Sequence, residues 1–211
     1  VREEVLNMGG AVIGVPLAEM DIRAIEDHLR AIPCVSRAEA YHTLDGVLHV
    51  RVDQRAPVVR VFDRDGTTYY IDAEGHTMPL SSAHTPRVPV ALGELHMPGA
   101  STTVLNVTDG DSLMRLSRLN QVFRIASFIR ADPFRDALID QIVATPDGEF
   151  ELIPRVGAQR VRIGDGTALE ERFAKLRLFY AEGIKQTDWR RYSTIDLRFD
   201  AQVVCTQRTT P

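Results

Sequence analysis

Around Leu44-Asp45-Gly46 the chain has almost no freedom in how it can fold. A type I turn closed by Gly46 in the left-handed conformation sets Thr43 against Val47 and defines the register of the hairpin it joins. That register places Ala38 across from Val52 and Ala40 across from Val50 on one face. On the other face it sets Glu39 opposite Arg51 and Arg37 opposite Asp53, two opposite-charge pairs that each contribute about 0.2–1 kcal/mol. A slip of one residue would lose both patterns together, because successive side chains in a strand alternate between faces.

The segments around this hairpin read as a small α/β unit. Residues 1–8 have the pattern of a helix that stops at Gly9-Gly10, and a second helix is expected over residues 16–30, with Met20 or Ile22, Ile25 and Leu29 at helical spacing. Pro33 ends it. From Pro57 the pattern changes to short strands with Gly-closed turns: residues 58–62, 67–72 and 76–80, then 88–92. A loop rich in Gly, Pro, Ser and Thr fills 93–110. Asp111 or Ser112 then caps a helix running to Arg130, with Leu116, Leu119, Phe123, Ala126 and Phe128 inward. Strands follow at 137–144, 149–154 and 160–163, and a last helix over 168–185 carries Leu169, Phe173, Leu176, Tyr180 and Ile184 at steps of three and four. The expected fold class is α+β in two domains, residues 1–57 and residues 58–211, the second built of antiparallel strands with flanking helices.

The chain ends in a further alternating run. Ile195, Leu197, Phe199, Ala201 and Val203 alternate with Asp196, Arg198, Asp200 and Gln202, which predicts one continuous strand over residues 195–205 with the apolar set on the core. A terminal strand can lie at a sheet edge, where its free backbone groups template a partner strand. On that reading the outward polar side chains flank the partner, and losing any one of them costs little.

With 211 residues, 44% hydrophobic and 26% charged, the chain can build one large core or two smaller ones. Its net charge of -4 comes from interspersed signs with no basic stripe, so nucleic acid is not an expected partner. No run approaches the ~20 apolar residues of a membrane span. The sequence opens at Val1 without an initiator Met, as expected of a piece of a longer chain in which any anchor lies upstream.

Enzymatic chemistry finds no complete constellation. Cys34 and Cys205 have neither metal-ligand nor redox spacing and read as two small thiols. His42 and His49 lie near one another without carboxylate or Cys ligands spaced to join them. Ser81 and His84 lack a nucleophile elbow and an orienting acid, so they read as a polar turn. Gly164-Asp165-Gly166 opens a helix without the Lys of a phosphate loop. Asp63, Asp65 and Asp72 suit hairpin turns, and Arg115, Arg118 and Arg124 suit a solvated helix face. Trp189 and Tyr192 suit a packing seam between helix and sheet. No catalytic residue, cofactor or metal is expected.

These pieces, in order, resemble a known family. Pro33-Cys34-Val35, Ala38-Glu39-Ala40-Tyr41, and the run from Gly46 through Asp53-Gln54-Arg55-Ala56-Pro57-Val58 resemble the POTRA domain of the bacterial cell-division family FtsQ (DivIB), whose hairpin ends in a Glu/Gln-Arg-x-Pro signature. Tyr69-Tyr70-Ile71-Asp72 through His76-Thr77-Met78-Pro79-Leu80, Phe173-Ala174-Lys175-Leu176, Trp189-Arg190-Arg191-Tyr192 and Ile195-Asp196-Leu197-Arg198-Phe199 are similar to its second, β-rich domain. The resemblance implies a non-enzymatic divisome scaffold on the periplasmic side of the inner membrane. Its single-pass anchor and first POTRA strand would lie upstream, so that the POTRA sheet here would expose an edge. FtsB-like and FtsL-like bitopic proteins are the implied partners. Carried onto this sequence, partner binding falls on Tyr192, Thr194, Asp196, Arg198, Asp200, Gln202 and Val204, and a POTRA contact on Arg51, Gln54, Arg55 and Pro57. The alternatives are a POTRA-type periplasmic module for polypeptide transport or outer-membrane assembly and, more distantly, a hydrolase.

Overall fold

The structure is a computed structural model describing residue 16 and residues 19–81, 85–108, 117–183 and 188–208. The expected helix over residues 1–8, the Ser82-Ala83-His84 turn, Arg115, Leu116 and the caps at Asp111 or Ser112 lie outside the described residues, as do Ile184 and Lys185. The chain divides into two compact units, Val1–Ala56 and Pro57–Pro211.

In the first unit, helix α1 (Ile22–Arg30) starts where the Asp21 carboxylate accepts a hydrogen bond from Ala24 N at 3.0 Å, six residues later than the expected start at Pro16. Strands β1 (Val35–His42) and β2 (Leu48–Gln54) pair antiparallel in the expected register, Ala38 against Val52, Ala40 against Val50, Glu39 against Arg51 and Arg37 against Asp53. Thr43 N donates to Val47 O at 3.0 Å across the turn. Leu29, Val35 and Ala38 form the core, flanked by Ile25, Ile32, Val50 and Val52. Arg37 turns to Glu39 on its own strand rather than across to Asp53. The side of β1 facing away from β2 is partly occupied by the helix: Ala40 N donates to Glu26 at 2.9 Å, and Arg30 donates to Ala38 O at 3.2 Å. Two backbone groups of the edge expected to lie open are thus satisfied by side chains.

Among the described residues the second unit forms a nine-stranded sheet, β11-β10-β9-β8-β7-β6-β3-β4-β5. Its strands are β3 (Pro57–Asp63), β4 (Thr68–Asp72), β5 (Thr77–Met78), β6 (Val90–Gly93), β7 (Ile139–Ala144), β8 (Phe150–Pro154), β9 (Arg160–Gly164), β10 (Tyr192–Asp196) and β11 (Val204–Gln207). The sheet is mixed rather than purely antiparallel. β3 and β6, β6 and β7, and β9 and β10 run parallel. Helices α2 (Arg118–Arg130) and α3 (Pro133–Leu138) lie between β6 and β7, and α4 (Leu169–Leu178) lies between β9 and β10, as parallel crossovers require. Val59, Val61, Ile71, Ala91, Ile142, Leu152, Val161, Ile163 and Ile195 pack in one core with Val122, Ile125 and Ile129 of α2 and Phe173 and Leu176 of α4.

Several element bounds differ from expectation. Ser117 caps α2, accepting from Asn120 N at 3.2 Å, and the buried stripe centres on Val122, Ile125 and Ile129, leaving Phe123 and Phe128 at its margin. Residues 133–138 form α3 because Asp132 caps it and Pro133 occupies its first turn, so Ala137 and Leu138, expected to begin a strand, are helical. α4 ends at Leu178 and continues as a π-helical turn over Phe179–Gly183.

The largest difference is at the C-terminal end. The expected single strand over 195–205 is two strands, β10 and β11, folded against each other as an antiparallel hairpin. Leu197 N still bonds Arg162 O of β9 at 3.0 Å, but the chain then turns, with Ala201 in the left-handed region at φ +56°. Phe199 is 43% exposed and Ala201 is exposed, so the expected core face stops at Leu197 and resumes at Val203.

Gly93 ends β6 beside Ala144, the last residue of the parallel strand β7. At φ +133° a Cβ there would lie 2.5 Å from the Ala144 carbonyl oxygen, whereas Gly66, at φ +87°, has open space around it. Gly66→Ala should therefore cost about 1 kcal/mol for the left-handed backbone alone. Gly93→Ala should cost more than about 2 kcal/mol, because backbone atoms must also move; urea denaturation of the two variants measures the difference.

Candidate functional site

The end of the sheet at β10 and β11 brings together most of the residues singled out near the C-terminus. β11 is the last strand on this side. Tyr192 pairs with Gln207, Thr194 with Thr206, Ile195 with Cys205 and Asp196 with Val204. Arg208 N donates to Arg191 O at 2.7 Å. Since both backbone groups of a residue in an antiparallel strand point the same way and alternate along it, Arg208, Thr206 and Val204 turn theirs toward β10. Cys205 and Gln207 turn theirs outward, with no further strand beside them among the described residues.

Cys205 and Val203 pack on the core, which gives this edge strand one anchored face. Burial pushes the Cys205 thiol up from its ordinary value. Both cysteines are free. The hairpin is also held through Ser193 Oγ, which donates to Thr206 O at 3.2 Å.

Behind it lies an aromatic seam. Trp189 meets Tyr180 edge-on at 6.1 Å and Tyr192 lies 6.3 Å from Phe179, so these rings pack as their spacing predicts. Gln159 donates to the Trp189 carbonyl at 3.0 Å, and burial pushes the Tyr180 hydroxyl up to about 12.

The opposite face of the sheet carries a charge ladder across β8, β9 and β10. Arg160 donates to Glu151 at 3.0 Å, and Arg162 donates to Glu149 at 3.0 Å. Arg198 grips both carboxylate oxygens of Glu149, at 2.7 and 2.9 Å, and both of Asp196, the shorter at 2.7 Å. Asp196 is 7% exposed. Its burial raises the carboxyl pKa, but the hydrogen bonds from the Arg198 side chain and backbone and the charges of Arg198 and Arg162 outweigh that and hold it below the usual carboxylate range. Arg198 is held more firmly protonated than usual by Asp196 and Glu149.

Two residues expected to flank a partner are therefore internal cross-links. Asp196 and Arg198 are bound to each other, the Asp196 carboxylate also accepting from Arg198 N at 3.1 Å where the chain leaves β10. Asp200 and Gln202 are exposed in the connection between β10 and β11, and Val204 is exposed on the edge strand itself. The signal missed was Glu149: its pairing with Arg198 spans 49 residues and leaves no trace in local periodicity.

The other group divides between the two units, with Arg51, Gln54 and Arg55 in the first and Pro57 opening the second. Arg51 and Gln54 are exposed, while Arg55 is half-buried, with its backbone N–H on Cys34 O at 2.9 Å and Nε on Pro33 O at 3.2 Å. Its role at this position is to clamp the strand end to the turn after α1.

Asp63, Asp65 and His96 converge in a third place, their ligand atoms within 4.8 Å of one another, a grouping that sequence spacing did not suggest. These three could reach one cation. Their hydrogen bonds already occupy them in holding the loop: Asp63 accepts from Arg64 N at 2.7 Å and Leu95 N at 3.0 Å, and His96 Nδ1 lies 3.2 Å from Asp63. Within the first unit, His49 stacks on Tyr41 at 5.0 Å.

Comparison with known proteins gives one family. Residues 56–206 match the family described as FtsQ/DivIB, C-terminal related. Over 99% of this chain and 73% of the relative, the sequence is 30% identical to the Cell division protein FtsQ of Rhodothermus marinus. It is 27% identical to that of Salinibacter ruber over 87% of this chain and 69% of the relative, and 28% identical to that of Mycobacterium leprae over 54% and 41%.

Arg198→Ala leaves the nearly buried Asp196 carboxylate without its main partner, and should lower stability at neutral pH by about 1–3 kcal/mol. Because the Asp196 carboxyl has a lower pKa in the folded chain than unfolded, its contribution is full above its ordinary value of 3.8 and is lost as pH falls through the folded value. The gap between the two proteins in urea midpoint should therefore shrink on titration from neutral pH to below that range.

Proposed function

The chain belongs to the FtsQ/DivIB family, and on that premise we propose that it is the extracytoplasmic part of a non-enzymatic cell-division scaffold that takes its partner as an added strand on β11. The observation that carries this reading is the open edge itself. β11 is short, has one face fixed on the core by Val203 and Cys205, and presents the backbone groups of Cys205 and Gln207 outward. A strand laid along it would gain main-chain hydrogen bonds, with side chains of alternating residues supplying selectivity.

The family resemblance names the partners, FtsB-like and FtsL-like bitopic proteins, and the setting, the periplasmic face of the inner membrane with a single-pass anchor ahead of this region. No helix among the described residues is long and apolar enough to cross a membrane, which agrees with an anchor elsewhere. In this reading the unit up to Ala56 is the POTRA-type domain and the unit from Pro57 the β domain, with Arg51, Gln54, Arg55 and Pro57 as a second contact region. Tyr192, Thr194 and Val204 serve recognition by shaping the hairpin and its exposed face, and Asp200 and Gln202 border the edge. Asp196 and Arg198 act through the turn they hold. A scaffold needs no catalytic group.

A proline probe belongs on β11 and not at Ala201 or Gln202. At Ala201 the backbone φ of +56° is one that proline cannot adopt, so loss of binding there would report misfolding. Gln207→Pro instead removes an outward N–H while leaving the bonds toward β10 in place. With an FtsB-like periplasmic segment as ligand, Gln207→Pro, still folded by circular dichroism, should lose at least about tenfold in affinity, equivalent to one lost hydrogen bond of about 1.4 kcal/mol. Gln207→Ala should keep it. Normal binding by the folded proline variant means that the partner does not add as a strand here.

A further inference from the structure

Most arginines on the charged face of the second unit are neutralised: Arg155 by Asp140, Arg160 by Glu151, Arg162 by Glu149 and Arg198 by Asp196 and Glu149. At the open end of the terminal hairpin the pattern stops. Arg190, Arg191 and Arg208 are exposed, and none makes an ion pair among the described residues. Arg190 lies against the Trp189 ring at 5.9 Å, and Arg208 Nε donates to Tyr192 O at 3.2 Å. Arg191 closes the 3-10 turn Trp189–Arg191 that leads into β10 and Arg208 follows β11, their backbones joined by the 2.7 Å bond from Arg208 N to Arg191 O. Positive side chains gathered at one place without a paired carboxylate favour an anionic partner. Asp188 is the acid nearest Arg190 and Arg191 in sequence, and its carboxylate is already engaged with Arg190 N at 3.1 Å.

The other end of the same hairpin bears the opposite sign. Asp200 is exposed in the connection, and Lys175, whose ammonium reaches Phe199 O at 2.7 Å, is itself paired with Glu171. The open edge is therefore polarised along its length, positive at Arg191 and Arg208 and negative at Asp200.

We propose that Arg190, Arg191 and Arg208 form a carboxylate-reading subsite that selects, and sets the direction of, a partner strand bearing acidic side chains at the end that lies beside Arg208. The inference deepens the strand-addition reading above and rests on it for the occupant's backbone, but its chemistry is separate. An acidic strand supplies the carboxylates that these arginines lack, and guanidinium groups bind a carboxylate through paired N–H donors. A strand running the opposite way would set its acidic end beside Asp200, where like charges repel. That makes direction, as well as choice of partner, an electrostatic property of the edge.

The test uses the whole chain and three synthetic strands of one alternating Thr and Val pattern, differing only in two terminal residues that are Glu, Gln or Lys. The Glu strand should bind about tenfold more tightly than the Gln strand at low salt, the preference fading as salt is raised. The double variant Arg191→Glu with Arg208→Glu should reverse the order in favour of the Lys strand. Equal binding of all three, or no binding of the Glu strand, overturns the subsite. If Gln207→Pro binds the Glu strand with the preference intact, the subsite stands and strand addition fails; if the charge variants bind an FtsB-like segment as the unaltered chain does while Gln207→Pro does not, strand addition stands and the subsite fails. Vesicles containing phosphatidylglycerol form the remaining arm: binding to them that depends on Arg191 and Arg208 as strongly as binding to the Glu strand makes lipid headgroups the occupant and overturns the proposal.

Discussion

The Arg198 guanidinium, held between Asp196 and Glu149, makes the interaction on which the C-terminal end of the sheet depends. It closes the bend that follows β10 and ties that bend to the residue preceding β8, so that the chain reverses and returns as β11. Without the reversal, β10 would itself be the end of the sheet. With it, the edge becomes a short strand whose one face is fixed by Val203 and Cys205 and whose outer backbone is open. A nearly buried carboxylate is costly unless paired, and here the pairing places its counter-charge where it also shapes the turn.

Legibility in the sequence followed the range of the interactions. The first hairpin was readable to the residue because Gly46 determines its turn, and apolar and charged pairs at 37–40 and 50–53 agree on one register. All of that information lies within a few residues of the turn. The meander over β3 and β4 was readable for the same reason, each turn being closed by a Gly. The C-terminal hairpin was not. Its alternation of apolar and polar residues runs through the reversal unbroken, and the contacts that impose the bend, from Glu149, Arg162 and Lys175, come from 24 to 49 residues away. Period-two patterning reports which face a residue prefers and carries no information on whether the chain continues straight. The same limit hid the grouping of Asp63 and Asp65 with His96, and the parallel pairings of β3, β6 and β7, which are set by crossovers and not by local pattern.

The two structural units manage their exposed strand edges differently. In the first, side chains of α1 reach over β1, Glu26 taking Ala40 N and Arg30 supplying Ala38 O, so the helix substitutes for a neighbouring strand. In the second, β11 has no such cover among the described residues, and the uncompensated charge of the hairpin collects at one of its ends. Edges left uncovered invite pairing with another chain. On the proposed reading, this chain of the FtsQ/DivIB family leaves one edge open for a partner strand and makes it selective by charge.

Backbone amide hydrogen exchange, resolved residue by residue with and without an FtsB-like periplasmic segment, bears directly on strand addition at β11. In the free chain the amides of Thr206 and Arg208, turned toward β10, should exchange more slowly than those of Cys205 and Gln207, which face outward. On binding, Cys205 and Gln207 should become strongly protected while Thr206 and Arg208 change little. Saturating binding that leaves the Cys205 and Gln207 amides exchanging at their free rates would contradict it.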